Sequence, residues 1–299
     1  MAGLQELAQP QYTEQNFIHG APERIVEASD PEILVIWPHG DETLGARVGH
    51  RMYDTRPDLL ADSVDYLCLN PAAAAQEPAV RDTANFEEPV DGYFVAGTDA
   101  NRSYSPTNGP HSYEEVRATE VLELIEERGY NTVLDMHTTK STQDPCFIIS
   151  ERYLDHPETR RIIAASRIGK IVVLPETVPS NDDPTTRKPL VTLGLIGKTH
   201  LAVSIEYSRP DAEAFGVEDT IEMIDHLLTG ESPFAGTERE MYYVEHTLPK
   251  DLDFETIKNF EPHPDGYWPV LCSLEGDYRK DKTKDYSGFA ATRYEVIVI

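Results

Sequence analysis

Residues 32–54 read EILVIWPHGDETLGARVGHRMYD, and this stretch predicts a strand, a turn and a helix in succession. After Glu32, the segment ILVIW is continuously apolar and is followed by a proline, which is typical of a short buried strand. An apolar residue then recurs at every fourth position, as on one face of a helix, at Leu44, Val48 and Met52. The turn between the strand and the helix carries His39 and Glu42. Two potential metal ligands therefore follow directly on a buried strand.

Apolar runs and helical patterns alternate over roughly the first 230 residues. We predict strands at 32–37, 64–70, 132–137, 146–150, 170–175 and 200–207, and helices at 42–54, 112–129, 157–169 and 219–230. Gly129 and Gly230 are expected to cap two of these helices, because glycine readily adopts the left-handed conformation that ends a helix. The alternation predicts a layered α/β fold with a largely buried sheet.

The chain after about residue 235 has a different pattern. Three β-type segments occur there without a convincing helix between them: REMYYVEHTLPK (239–250), GYWPVLCSLEGDY (266–278) and TRYEVIVI (292–299). We therefore predict an α/β domain over residues 1–234 and a small β-rich domain over residues 235–299.

Composition excludes several classes of partner. The 299 residues include 53 acidic and 26 basic ones, for a net charge of −27. Such a surface repels phosphate backbones and anionic lipid, so neither nucleic acid nor a membrane is an expected partner. The acidic residues are scattered along the chain, which favours a salt-adapted protein over an ordinary acidic cytosolic one.

Cysteine usage and the N-terminal segment indicate a soluble cytoplasmic protein. Cys68, Cys146 and Cys272 are too few and too irregularly spaced for a disulfide framework or a CxxC site. The first residues contain no basic segment followed by an apolar run, and no stretch approaches 18 apolar residues.

Four stretches place reactive residue types at or just after predicted strands: EILVIWPHGDETLG (32–45), GTDANRSYS (97–105), TVLDMHTTKS (132–141) and LAVSIEYSRP (201–210). Ligands of open α/β sheets bind beyond the carboxyl ends of the strands, so His39, His137 and Glu206 can meet at one edge. Two imidazoles and the Glu42 carboxylate can hold zinc and leave a fourth position for water. Glu206 can then accept a proton from that water, and Asp135 can orient an imidazole.

Asn101 and Arg102 suit a different task, the binding of a substrate carboxylate. Arginine presents a planar fork that binds a carboxylate through two hydrogen bonds, and a neighbouring asparagine can bind one of its oxygens. Each candidate also has a purely structural explanation. Arg102 can form a surface salt bridge in so acidic a chain, Glu206 can pair with Arg209, and single histidines are often hydrogen-bonded core or loop residues.

These motifs, in this order, resemble the succinylglutamate desuccinylase/aspartoacylase family of the zinc carboxypeptidase-like superfamily. The matching segments are HGDE (39–42), LNPA (69–72), NRSY (101–104), DMHTT (135–139) and IE (205–206), so the resemblance covers roughly residues 32–210. It implies a mixed sheet flanked by helices and a small β-rich C-terminal domain. It also implies one Zn2+ per chain on His39, Glu42 and His137, the substrate carboxylate on Asn101 and Arg102, and Glu206 as general base.

The chain departs from the family at two positions where an arginine is usual. Phe94 stands seven residues before Asn101, and Ile196 stands ten residues before Glu206. The candidates for an oxyanion or substrate contact in their place are Arg81, Lys198 and a tyrosine of the C-terminal segment, Tyr286 or Tyr294. Tyr104 also replaces a usual phenylalanine. The substrate pocket has therefore diverged more than the metal ligands have.

We predict a zinc-dependent hydrolase that cleaves the linear amide bond of an N-acyl amino acid, or a similar small molecule with a carboxylate. Ester bonds are a further candidate target. Two alternatives remain open at this point: a zinc carboxypeptidase acting on peptides, and a non-catalytic zinc- or ligand-binding relative. The sequence leaves open whether the chain forms a homo-oligomer.

Overall fold

The computed structural model describes residues 28, 30–74, 79, 99–104, 112–140, 143–179, 187–189, 194–249, 257–272 and 286–298. Its strands are β1 Ile33–Trp37, β2 Val64–Cys68, β3 Thr132–Thr139, β4 Cys146–Ser150, β5 Lys170–Leu174, β6 Thr177–Pro179, β7 Arg187–Pro189, β8 Ala202–Ser208, β9 Glu238–Pro249, β10 Trp268–Val270 and β11 Tyr286–Val298. Its α-helices are α1 Leu44–Thr55, α2 Pro57–Asp62, α3 Pro71–Ala74, α4 Tyr113–Arg128, α5 Pro157–Ala164, α6 Arg209–Asp211 and α7 Val217–Thr229.

Nine of these strands form one mixed sheet in the order β10-β11-β9-β5-β4-β8-β3-β1-β2. Strands β2, β1, β3 and β8 are parallel to one another, whereas β4 is antiparallel to β8. Strands β4, β5 and β9 are again parallel, and β11 and β10 complete the sheet in antiparallel fashion. The predicted α/β class, with a mixed sheet flanked by helices and a β-rich C-terminal region, is confirmed.

Each face of the sheet carries its own apolar core because successive strand residues point to opposite faces. Helices α1, α5 and α7 cover one face, where Val35, Met136 and Ile205 lie in the same cluster. Helix α4 covers the other face, together with Val133 and Ala202. His137 and Glu206 are an even number of residues from Val133 and Ala202, so they belong to the α4 face.

The junction between β1 and α1 is packed very closely. A Cβ atom added at Gly45 would lie 2.6 Å from Cε3 of Trp37, the last residue of β1. Trp37 is buried, so it has little room to move. A glycine is therefore needed where the first turn of α1 crosses the end of β1, and this contact holds the intervening turn against the sheet.

The helix ends match the expectation for α4 and α7. Gly129 and Gly230 adopt positive φ angles of 69° and 72° as C-caps. At its start α4 has a capping box, in which Ser112 Oγ accepts a hydrogen bond from the Glu115 amide and Glu115 accepts one from the Ser112 amide. The helix predicted over 157–169 ends earlier, at Ala164. Ser166 Oγ accepts a hydrogen bond from the Ile168 amide, and such local bonding competes with helix continuation.

The C-terminal strands continue the central sheet, because β9 pairs with β5 in parallel register. The division into domains at residue 234/235 stays a prediction. No helix of the described residues is both long enough and apolar enough to span a bilayer.

Candidate metal centre

The turn after β1 brings His39 and Glu42 together. The Glu42 amide donates a hydrogen bond to the His39 carbonyl at 3.2 Å, which closes the turn before α1. His39 Nδ1 lies 2.9 Å from Glu42 Oε1, and the two side chains are 0% and 2% exposed. Strand β1 thus delivers both side chains, already facing each other, into a buried position at its carboxyl end.

Strand β3 supplies the third residue of the group. His137 Nδ1 lies 3.1 Å from Glu42 Oε2, and the Thr138 amide donates to the same oxygen at 3.2 Å. One ligand atom from each of His39, Glu42 and His137 lies within 4.8 Å of the others. Within the described part of the chain, this is the one group of three such residues that could hold a metal ion.

The far nitrogen of each imidazole faces a carboxylate. His39 Nε2 lies 3.1 Å from Asp99 Oδ1, and His137 Nε2 lies 3.1 Å from Asp135 Oδ2. Ser204 Oγ donates to Asp135 Oδ2 at 2.6 Å and so holds that carboxylate in place. Histidine ligands of metals characteristically donate their second N–H to a carboxylate, which leaves the other nitrogen for the metal.

Asp99 is a residue that the sequence analysis missed. It precedes the predicted Asn101–Arg102 pair by two residues, and its Oδ1 also accepts a hydrogen bond from the Asn101 amide at 2.9 Å. The signal in the sequence is slight, since an aspartate in an acidic loop is unremarkable in a chain with 53 acidic residues. Its contact with His39 joins residues 60 positions apart.

The electrostatics of the group favour a bound cation. Burial by itself would lower the pKa of His137, but the neighbouring Asp135 and Glu42 raise it well above its ordinary value. Glu42 and Asp135 are 2% and 1% exposed. Buried carboxylates require a positive partner, and a divalent ion between the two imidazoles can supply that charge. Two histidines and one glutamate are also a known ligand set of catalytic zinc, so the residues present fit the ion.

Asn101 and Arg102 lie on a short 3-10 turn, Ala100–Arg102, beside this group. Asn101 Nδ2 is 3.4 Å from His137 Nε2. Arg102 Nη1 donates to the Asn101 carbonyl at 2.8 Å, which fixes the direction of the guanidinium. The structure therefore brings the predicted carboxylate-binding pair to the predicted metal ligands.

Glu206 lies on β8 directly opposite His137 on β3. Directly paired residues share a sheet face, and the same row continues through Cys146 on β4 to Lys170 on β5. Burial raises the pKa of the Cys146 thiol well above its ordinary value, and the nearby Glu206 adds to this effect. Lys170 was not singled out from the sequence, because the antiparallel pairing that aligns β4 with β8 cannot be deduced from local patterns.

Tyr294, a predicted substrate contact, lies away from the candidate metal centre. Tyr294 pairs with Met241 and packs against Tyr243, and both partners lie against the core under α1, α5 and α7. It thus belongs to the face opposite His137, four strands away from β8, and the structure does not bring it to the metal group. Tyr286 begins β11.

Two further positions lie just before β8, and two lie outside the described residues. Lys198 follows the 3-10 turn Leu195–Gly197, and burial lowers its pKa. Ile196 is buried in the core under α4, so this position presents no charge. Arg81 and Phe94 fall outside the described residues.

Comparison with known proteins identifies the fold. No protein-family model matches the chain, and no curated protein does. Among solved structures, murine aminoacylase 3 is similar at 17% identity and a TM-score of 0.55, over 91% of this chain and 99% of that one. The succinylglutamate desuccinylase of Chromobacterium violaceum is similar at 16% identity and a TM-score of 0.59, over 90% of this chain and 86% of that one.

A third structure, described as a succinylglutamate desuccinylase/aspartoacylase from Rhodobacter sphaeroides, has 16% identity and a TM-score of 0.50. The alignment covers 91% of this chain and 87% of that one. The chain therefore has the fold of the succinylglutamate desuccinylase and aspartoacylase structures, as the resemblance of its motifs led us to expect.

Proposed function

We propose that the chain is a zinc-dependent amidohydrolase of the succinylglutamate desuccinylase/aspartoacylase family. One observation carries this proposal: His39, Glu42 and His137 meet in a buried group, directly beside Glu206 on the adjoining strand. The proposed substrate is an N-acyl amino acid, or a similar small amide that bears a carboxylate.

The proposed reaction adds water to the acyl carbon and breaks the C–N bond. His39, Glu42 and His137 would hold zinc, which would supply Lewis-acid chemistry to polarise a carbonyl and acidify water. Glu206 accepts the proton of the attacking water and returns it to the leaving amine nitrogen, so the products are a carboxylate and an amine. The same chemistry applies to an ester, with an alcohol as the leaving group.

The remaining residues orient these groups. Asp99 and Asp135 hold the two imidazoles through their Nε2 atoms, which favours metal binding at Nδ1. Asn101 and Arg102 bind the substrate carboxylate beside the metal, and Arg102 is already oriented by its bond to the Asn101 carbonyl. Arg81 is proposed as the cation that stabilises the developing oxyanion, with Lys198 as the other candidate.

A substrate panel tests the proposal. The zinc-loaded protein is assayed with N-acyl amino acids that differ in acyl group, beside short peptides with free C-termini. We expect hydrolysis of at least one N-acyl amino acid, loss of activity with a chelator, and recovery with zinc. Preferential release of C-terminal residues from peptides would instead establish a carboxypeptidase. Zinc binding without hydrolysis of any amide would establish a non-catalytic binding protein.

A further inference from the structure

An ion pair joins the metal-binding turn to the end of the strand that carries Glu206. Arg209 Nη2 donates to Asp41 Oδ2 at 2.8 Å, between residues 168 positions apart. Asp41 stands between His39 and Glu42 in the turn after β1. Arg209 directly follows the last residue of β8, three residues after Glu206. The proposed metal ligands and general base are thus linked through one guanidinium–carboxylate contact.

The Arg209–Asp41 ion pair connects the ends of two strands across a third one, and we call this ion pair the brace. Strand β3, which carries His137, lies between β1 and β8 in the sheet order. The pair therefore reaches from the end of β1 to the end of β8, past the end of β3. A shift of the turn relative to β8 would move His39 and Glu42 away from His137 and Glu206, and the ion pair opposes that shift.

Only one of the two hydrogen bonds that Arg209 and Asp41 can form with each other is present. Asp41 Oδ1 and Arg209 Nε are both buried, and neither has a hydrogen-bond partner among the described residues. A buried polar atom without a partner is unfavourable. Arginine and carboxylate groups commonly pair through two parallel N–H···O bonds, and these two atoms are the ones that the second bond requires. A small rotation of the Asp41 carboxylate can close it.

We propose that Arg209 is a positioning residue for the metal centre: through Asp41 it fixes the turn that carries His39 and Glu42, and it thereby strengthens zinc binding. The inference rests on the metal site of the proposed function, but it does not depend on which substrate is cleaved. Arg209 acts through Asp41 and is assigned no contact with substrate.

Zinc affinity, measured by competition with a chelating dye, tests this role without any substrate. We expect Arg209→Met to weaken zinc binding by about 10- to 100-fold, the range typical for residues that orient metal ligands. Arg209→Lys should recover part of the loss, because an ammonium can still donate one bond to Asp41. The matched control is Arg51→Met, which removes the 2.9 Å pair between Arg51 and Glu218 on the exposed surface, and it should leave the affinity unchanged.

A second variant separates positioning from a general loss of fold. Asp41→Asn should weaken zinc binding as Arg209→Met does. The double variant should bind zinc as tightly as the single variants do, because both substitutions remove the same contact. Thermal unfolding of each metal-free variant shows whether it is folded. The visible spectrum of the Co2+-loaded protein should shift in both single variants, since the ligand geometry relaxes.

The results distinguish the positioning role of Arg209 from the proposed hydrolase function. A folded Arg209→Met protein with the zinc affinity and Co2+ spectrum of the wild type would overturn the brace, whatever the activity. Weakened zinc binding in a protein that hydrolyses no amide would support the brace and refute the proposed hydrolase. A wild-type protein that binds no zinc would overturn both.

Discussion

At the scale of single residues, three carboxylates organise the centre: Glu42, itself a proposed metal ligand, and Asp99 and Asp135, which contact the far side of the imidazoles. Glu42 lies between the Nδ1 atoms of His39 and His137, while Asp99 and Asp135 accept from their Nε2 atoms. Each imidazole is therefore held at Nε2 by an aspartate, while its Nδ1 faces Glu42. This arrangement explains why a chain this acidic can bury two histidines together: every ring nitrogen lies within 3.1 Å of a carboxylate oxygen.

Asp99→Asn tests this organisation. The amide retains an acceptor for His39 but loses the negative charge that strengthens the imidazole as a ligand, so zinc binding should weaken by about tenfold or more. Chelator competition measures the affinity. Asp155→Asn is the control, because Asp155 is 87% exposed and pairs with Arg160 on the surface. Equal zinc affinities for Asp99→Asn and the wild type would show that this contact does not support the site.

At the scale of secondary structure, the candidate site depends on strand register. The pairs His137–Glu206 and Glu206–Cys146 align β3, β8 and β4 at one level, and Lys170 on β5 continues the row. Beyond Lys170 the row ends in a charged cluster on β9 and β11. Lys170 Nζ donates to Glu240 Oε2 at 2.7 Å, Tyr242 donates to the same oxygen, and Arg293 pairs with the other oxygen.

This cluster predicts a pH-dependent contribution to stability. The hydrogen bond from Lys170 is the main cause that lowers the pKa of Glu240 below its ordinary value of 4.5. A carboxyl group whose pKa is lowered by folding stabilises the protein at pH values above the pKa that the group has in the unfolded chain. This stabilisation is lost as the pH falls through the pKa that the group has in the folded protein. Glu240→Gln should therefore lower the free energy of unfolding at neutral pH, with a difference from wild type that shrinks below about pH 4.5.

Denaturant unfolding at several pH values measures this difference. Glu261→Gln is the control, since Glu261 is 61% exposed and its pair with Lys258 is longer, at 3.4 Å. Its effect on unfolding should be small at every pH. A Glu240→Gln difference that stays constant from neutral to acid pH would contradict the assignment of the charge cluster.

Local patterns were sufficient to predict most elements, because apolar periodicity and helix caps act within a few residues. Strand β1, helix α4 and the cap at Gly129 follow from such signals. The contact between Asp99 and His39, the antiparallel pairing of β4 with β8 and the face that Tyr294 occupies all depend on tertiary structure. The meeting of His39, Glu42 and His137 was nevertheless predictable, since their motifs mark the carboxyl ends of strands that lie side by side.

At the scale of the whole molecule, charge is the dominant property. A net charge of −27 on 299 residues produces repulsion that opposes the compact state. Screening by salt weakens repulsion between exposed charges. We therefore expect the free energy of unfolding to rise between about 0.1 M and about 1 M KCl, measured by urea unfolding. A stability that is constant or falls over this range would contradict the interpretation that the surface is adapted to salt.

The fold and the buried group of His39, Glu42 and His137 are the basis for our proposal that Glu206 performs proton transfer beside a zinc ion. The most direct test compares wild type with Glu206→Gln for zinc content and for the turnover of an N-acyl amino acid that the wild type cleaves. We predict roughly one zinc per chain in both proteins, and a turnover that falls by about 100- to 10,000-fold in the variant. A Glu206→Gln protein that retains full activity would contradict the claim.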